Sequence, residues 1–447
     1  MKRILIWLLG LVVVLALGSA LFLRFGLGVP LASPGVVFDI AGGMGAKLGC
    51  SARYITGLDA EQVKEDLKSY SSLYENISIT NDDERKQVSA RFAPGDTHSA
   101  TYRPGIGCSL DIGDVSALDK LDASTWLQPQ SGPATHTGTA DALLQAQLNT
   151  DNELGLQTRA LLLMQNGEVI GEAYSEGFDE NTPHLGWSMG KSLIAILFGR
   201  LEETSNLLVS QTSLFEQWHD DRKNLKIEHL LTMTSGLEFG EVYAPGSDAT
   251  RMLFNEYSAS NVALEKPLLH PPGTQFAYSS GTTNMLSRFL FDQLGGTAEN
   301  AYEFLHNELL NPLGLTNTVV EPDPSGVFVG SSYVYASARD WARLGSLLVA
   351  DGRHNGKRLL TSDWIKRATT PNSSTNEPRY GYQFWLNRGG DELRWPDLPE
   401  DALAMQGNRA QIVLMIPSQK LVLVRLGWTA GGYPYNQTFS ELLAKVP

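Results

Sequence analysis

The order of apolar and polar positions divides the chain into segments of different texture. Residues 4–23 are an unbroken run of apolar and small residues, the length of a bilayer span of about 20 residues. Residues 25–35 are Gly- and Pro-rich and read as a tether. Leu58, Val63, Leu67 and Leu73 then recur at helical spacing and predict a helix over 59–74. Residues 89–93 and 100–103 alternate as short strands, and 128–138 has linker composition. From residue 158 the texture changes. Runs at 158–164 and 169–174 flank Asn166-Gly167, a strong hairpin signal. A helix starts near Ser188 and continues into an apolar run. A mainly helical middle follows, and 410–417 and 420–428 return to strand character. Strands at both ends of a helical middle predict an α/β (α+β) domain. Its antiparallel sheet is built from both ends of the domain, with a helical lobe inserted. The expected organisation is a membrane segment over 1–26, an N-terminal extension and linker over 27–130, and the main domain over 131–447.

Composition changes this picture in three places. At 447 residues and 42% apolar content, the chain can bury a substantial core. Its net charge of -14 argues against nonspecific nucleic-acid binding. Lys2 and Arg3 precede the apolar run, which favours a cytoplasmic N-terminus with the remainder outside, although Arg24 opposes this weakly. A cleaved signal peptide is the alternative, with Gly18-Ser19-Ala20 as its small-residue site. The apolar run continues past that site, which favours an uncleaved single-pass anchor in the cytoplasmic membrane with a periplasmic or extracytoplasmic domain. Cleavage would instead release the domain to the periplasm. Cys50 and Cys108 are the two cysteines, expected to form one disulfide in an exported domain, with buried free thiols as the alternative.

The candidate chemistry begins at Ser188-Met189-Gly190-Lys191. On a helix, positions 188 and 191 share one face about a turn apart, so a hydroxyl and an amine can form a nucleophile with its own base. An ordinary lysine, with a pKa near ~10.4, is almost wholly protonated at neutral pH, so the pair needs a pocket that lowers it. Three further segments accompany it: residues 228–237 ending on a glycine, Tyr278-Ser279-Ser280 on a Gly-bounded loop, and Gly407-Asn408-Arg409-Ala410-Gln411 opening the penultimate strand. No His, Asp and Glu set has zinc spacing, no organic cofactor is implied, and His229 and His270 read as structural.

With these motifs in this order, residues 158–428 resemble the serine β-lactamase and penicillin-binding-protein superfamily, in its class C β-lactamase-like branch. The resemblance implies a β-lactamase/transpeptidase-like fold. It implies that Ser188 accepts the acyl group, that Lys191 takes its proton or holds the neighbouring base in its ionised form, and that Tyr278 relays the proton to the leaving group. Ser280 stands where the family's Tyr-x-Asn motif has asparagine, able to bond substrate or Lys191. The backbone N–H of Ser188 and that of Gln411 are the implied oxyanion donors. The Lys-Thr-Gly or His-x-Gly triad aligns with Asn408-Arg409-Ala410, leaving Asn408 to line the substrate and no cation in the first place. On a strand, Arg409 would point opposite to 408 and 410. Residues 233–237 with Tyr243 and Asp248 are most similar to the 6-aminohexanoate-dimer hydrolase group, in which Tyr243 would line the pocket. The expected activity is hydrolysis of a small-molecule amide or ester through an acyl-enzyme. A D,D-peptidase or D-aminopeptidase acting on cell-wall peptides, or a noncatalytic penicillin-binding-like sensor, are the alternatives. The partners are then that substrate and, through the N-terminal helix, a membrane; no oligomeric state is implied.

Overall fold

The computed structural model describes residues 35–126, 136–205 and 207–446. The expected membrane segment and most of the 128–138 linker lie outside the described residues. Among the described residues no helix is long and apolar enough to cross a membrane.

The N-terminal extension opens with α1 (Val36–Ser51), which the apolar pattern does not announce. Gly42, Gly43, Gly45 and Gly49 each weaken a helix by about 1 kcal/mol relative to alanine. They also let it pack closely: a Cβ at Gly43 would lie 2.0 Å from the Phe254 carbonyl oxygen, and one at Gly45 2.4 Å from Ile77. Packing against distant partners thus outweighs propensity. The next helix, α2 (Ala60–Lys68), is capped by Asp59 and stops short of the expected residue 74, giving way to a 3-10 turn over Ser72–Asn76. An antiparallel meander follows, formed by β1 (Ser78–Asp82), β2 (Gln87–Arg91), β3 (Thr97–Arg103) and β4 (Gly107–Leu110). Cys50 of α1 is disulfide-bonded to Cys108 of β4.

The extension shares a core with the main domain. Ile40, Leu48, Leu67 and Val88 pack in one cluster with Leu185, Trp187, Tyr333 and Trp428. Beneath it, fully buried Lys47 pairs with Glu321, which also accepts from the Ser51 hydroxyl at 2.8 Å and the Cys108 backbone N–H at 2.6 Å. Each carboxylate oxygen therefore has a donor, as a buried charge requires.

In the main domain, α3 (Asp141–Glu153) precedes the hairpin of β5 (Thr158–Gln165) and β6 (Glu168–Tyr174). Asn166 and Gly167 turn it with φ of 52° and 85°, as the sequence predicts. Helices α4 (Gly190–Ser205), α5 (Ser280–Gln293) and α6 (Ala338–Val349) belong to the middle of the chain. The last strands are β7 (Trp385–Leu386), β8 (Leu403–Gly407), β9 (Gln411–Ile416) and β10 (Leu421–Gly427), followed by α7 (Tyr435–Leu443). The six-stranded sheet runs β7-β8-β9-β10-β5-β6, antiparallel throughout, so the first and last strands of the domain lie side by side. Leu161 and Leu163 face the cluster of α3 and α7, while Leu162 and Met164 face that of α4 and α6.

One strand differs from the expectation. Residues 408–410 do not open a strand; they form a tight turn between β8 and β9, with Arg409 and Ala410 both at φ of 60°. Strand alternation therefore does not set the direction of Arg409.

Candidate active site

Ser188 lies in the 3-10 turn Trp187–Met189, immediately before α4. Trp187 adopts a left-handed φ of 48°, and its buried indole packs against Tyr70 and Tyr333. A non-glycine residue holds this conformation only when packing over-determines it. The flanking glycines are needed for space: a Cβ at Gly186 would lie 2.3 Å from Trp341, and one at Gly190 2.6 Å from the Gly330 carbonyl oxygen.

Lys191 is one turn onward and has no exposed surface. Its ammonium nitrogen lies 3.1 Å from Ser188 Oγ, 2.9 Å from Ser280 Oγ and 2.9 Å from the Ser331 carbonyl oxygen. Burial pushes its pKa down to about 8, against a smaller opposing pull from Glu241. At pH 7 roughly a tenth of such lysines are neutral, against about one in three thousand at the ordinary value.

Tyr278 lies with its ring centroid 4.9 Å from the Lys191 nitrogen. The ring stacks on Trp385 at 5.3 Å and meets Tyr380 edge-on at 6.0 Å. Burial raises the phenol well above its ordinary pKa, against a smaller lowering by Ser188. It is therefore held as a neutral phenol, fit to donate a proton rather than to take one from Ser188. Between Lys191 and Tyr278, the amine is the group whose environment favours a base.

Ser280 heads α5, which Ser279 caps by accepting from the Thr282 N–H. The sequence-based reading missed its partner, Glu241. The Ser280 N–H and hydroxyl both donate to that carboxylate at 2.6 Å, and Tyr243 OH donates to it at 3.0 Å. Tyr243 remains 49% exposed and reaches within 3.3 Å of Ser280 Oγ, so it borders the site from the solvent side. Nothing in the spacing of Glu241 marks it; only its place two residues before Tyr243 could have drawn attention.

On the opposite side, Gly407 at the end of β8 meets the Ser188 turn. A Cβ there would lie 2.0 Å from the Gly186 carbonyl oxygen and 3.2 Å from the Ser188 backbone nitrogen. Gln411 differs from the expected oxyanion donor. Its N–H closes the turn onto the Asn408 carbonyl, and its side-chain amide clamps both backbone groups of Gly427. The Asn408 side chain also serves the turn, accepting from the Arg409 N–H at 2.8 Å. Arg409 is buried with its guanidinium 3.7 Å from the Tyr70 ring centroid, so the extension engages it. His229 Nδ1 accepts from the Lys226 N–H at the start of its helix, a structural role. Among the described residues no group of His, Cys, Asp and Glu is arranged to hold a metal ion.

Residues 140–438 match the family model described as Beta-lactamase. The chain belongs to that family. It is 24% identical over 256 residues to the 6-aminohexanoate-dimer hydrolase of Paenarthrobacter ureafaciens, a match covering 53% of this chain and 64% of that protein. The chain spans about half the length of the curated relatives it matches. A penicillin-binding protein homolog from Caulobacter crescentus superposes with a TM-score of 0.56 at 17% identity, covering 72% of this chain and 100% of that one. A family VIII carboxylesterase superposes with a TM-score of 0.55 at 14% identity, covering 72% and 99%. These structural likenesses show the β-lactamase/transpeptidase-like fold. Serine hydrolases of this family include esterases and amidases.

Proposed function

We propose that this Beta-lactamase family member hydrolyses a small amide or ester through an acyl-enzyme on Ser188. The observation that carries the reading is the buried Lys191 amine, 3.1 Å from the Ser188 hydroxyl with its pKa lowered to about 8. Neutral Lys191 takes the Ser188 proton as Oγ attacks the carbonyl carbon. Tyr278, kept neutral, passes a proton to the departing amine or alkoxide and regains one by way of Lys191. The Ser188 N–H faces the developing oxyanion. The second donor is assigned to the backbone at Gly407-Asn408, because the Gln411 N–H is already engaged. Between Leu403 and Gly407 the strand beside Ser188 carries no Lys, Arg or His, so a neutral substrate suits it better than a carboxylate-bearing penicillin.

The reading is tested by fluorophosphonate labelling followed by peptide mapping. Label is expected on Ser188. Ser188→Ala should abolish it and Lys191→Ala should slow it at least a hundredfold with the fold kept; full activity in Ser188→Ala would refute the assignment. We infer that residues 4–23 hold the enzyme at the cytoplasmic membrane, with the domain outside, on the strength of that run and of Lys2 and Arg3. Carbonate washing of membranes should leave the full chain in the pellet, and its release would refute the anchor.

A further inference from the structure

We propose that Glu241 is a positioning residue which, through Ser280, aims the lone pair of neutral Lys191 at Ser188. This rests on the serine hydrolase reading and deepens it. A neutral lysine has two N–H bonds and one lone pair, and Lys191 has three polar neighbours within 3.1 Å. The Ser331 carbonyl can only accept, so it takes one N–H. Ser331 is itself held in place by its own N–H, which donates to Asn284 Oδ1 on α5.

Ser280 has a single hydroxyl hydrogen. An ionised carboxylate only accepts, so at 2.6 Å from Glu241 Oε1 that hydrogen belongs to Glu241. Ser280 Oγ must then accept from Lys191, taking the second N–H at 2.9 Å. Only the lone pair is left, and only Ser188 Oγ–H to meet it. Tyr243 supports the arrangement by donating its own hydrogen to the same carboxylate oxygen, and the Ser280 N–H fills the other. Without Glu241 the Ser280 hydroxyl is free to turn and donate to the lysine lone pair, competing with Ser188. The carboxylate thus acts at a distance through one hydroxyl and touches no reacting atom.

Glu241 has an opposing effect through its charge. The ionisable groups facing Lys191 are Tyr278 beneath the ammonium and, beyond Ser280, Glu241 and the Tyr243 phenol; the Ser331 segment offers its backbone carbonyl. An anion here stabilises the ammonium and raises the lysine pKa. Its removal should therefore shift the acid limb of acylation to lower pH while lowering the plateau. A residue that merely supported the fold would lower the plateau without moving the limb.

The test measures Ser188 labelling by a fluorophosphonate and acylation by p-nitrophenyl acetate from pH 6 to 10. It compares the full chain with Glu241→Gln, Glu241→Ala, Ser280→Ala and the Glu241→Ala/Ser280→Ala double variant. Glu241→Ala is expected to lower the plateau roughly tenfold. In the Ser280→Ala background the same change is expected to add nothing, because the effect passes through that hydroxyl. Glu241→Gln, close in shape, should move the acid limb to lower pH and carries the test should the alanine variant unfold. Equal losses in both backgrounds, or an acid limb that stays in place, overturn the proposal. Ser188 labelling that is indifferent to Glu241 overturns this inference alone; absence of any label on wild-type Ser188 overturns the hydrolase reading and this inference with it.

Discussion

Replacing Gly407 by alanine adds one methyl group at the point where the sheet edge meets the turn that carries Ser188. Gly407 has φ -134° and ψ 165°, an extended conformation that alanine adopts freely, so no backbone strain enters. The effect is contact alone. The new Cβ would lie 2.0 Å from the Gly186 carbonyl oxygen, where a carbon–oxygen contact needs roughly 3.3 Å, so turn and strand must separate by about 1.3 Å. Misplacement of a reacting group by about 1 Å can lower rate on the order of a hundredfold, and overpacking of this kind costs about 1–3 kcal/mol. Gly407→Ala should therefore acylate at least tenfold more slowly than wild type, with a moderate fall in thermal midpoint. Gly432→Ala is the control, since a Cβ there meets nothing within 4 Å. Fluorophosphonate labelling rates and thermal melts on the three proteins decide the matter. A Gly407→Ala protein that labels at the wild-type rate would refute the claim that this backbone approach shapes the site.

Two further outcomes follow from buried charge. With Lys191 lowered to about 8, Ser188 acylation should rise close to tenfold per pH unit from pH 6 and level off above about pH 8. A limb centred near pH 10 would show that Lys191 is not the group that titrates. Glu321→Ala should destabilise the protein by about 3–5 kcal/mol in urea titration, because it leaves Lys47 buried without its carboxylate. A loss below about 1 kcal/mol would mean that water reaches the pair.

Local features were the legible ones. Asn166-Gly167 announces its hairpin because only left-handed-tolerant residues turn two strands so tightly. The strand character of 410–417 and 420–428 predicts the two closing strands, and Ser188 and Lys191 meet because they are one turn apart on the chain. The glycines of α1 hid a helix, since their use lies in contacts with Phe254 and Ile77 that no window of sequence contains. From sequence the 408–410 segment reads as strand, because nothing local shows that β8 ends at Gly407 and that β9 begins only at Gln411. Glu241 carries no sequence signal because an isolated acid in a loop has no period.

By itself, then, the sequence determined that Ser188 and Lys191 lie one turn apart, where the principal strands run and that both ends of the domain close the sheet. These follow from backbone repeats of 3.6 and 2 residues, which act over a few positions. Tertiary structure decided whether the lysine can act. Its amine is dried by residues from across the chain and oriented by Ser280, 89 positions away, and by the Ser331 carbonyl, 140 positions away. Spacing can bring a serine and a lysine together, but basicity and the direction of a lone pair depend on burial and on where every neighbouring hydrogen goes.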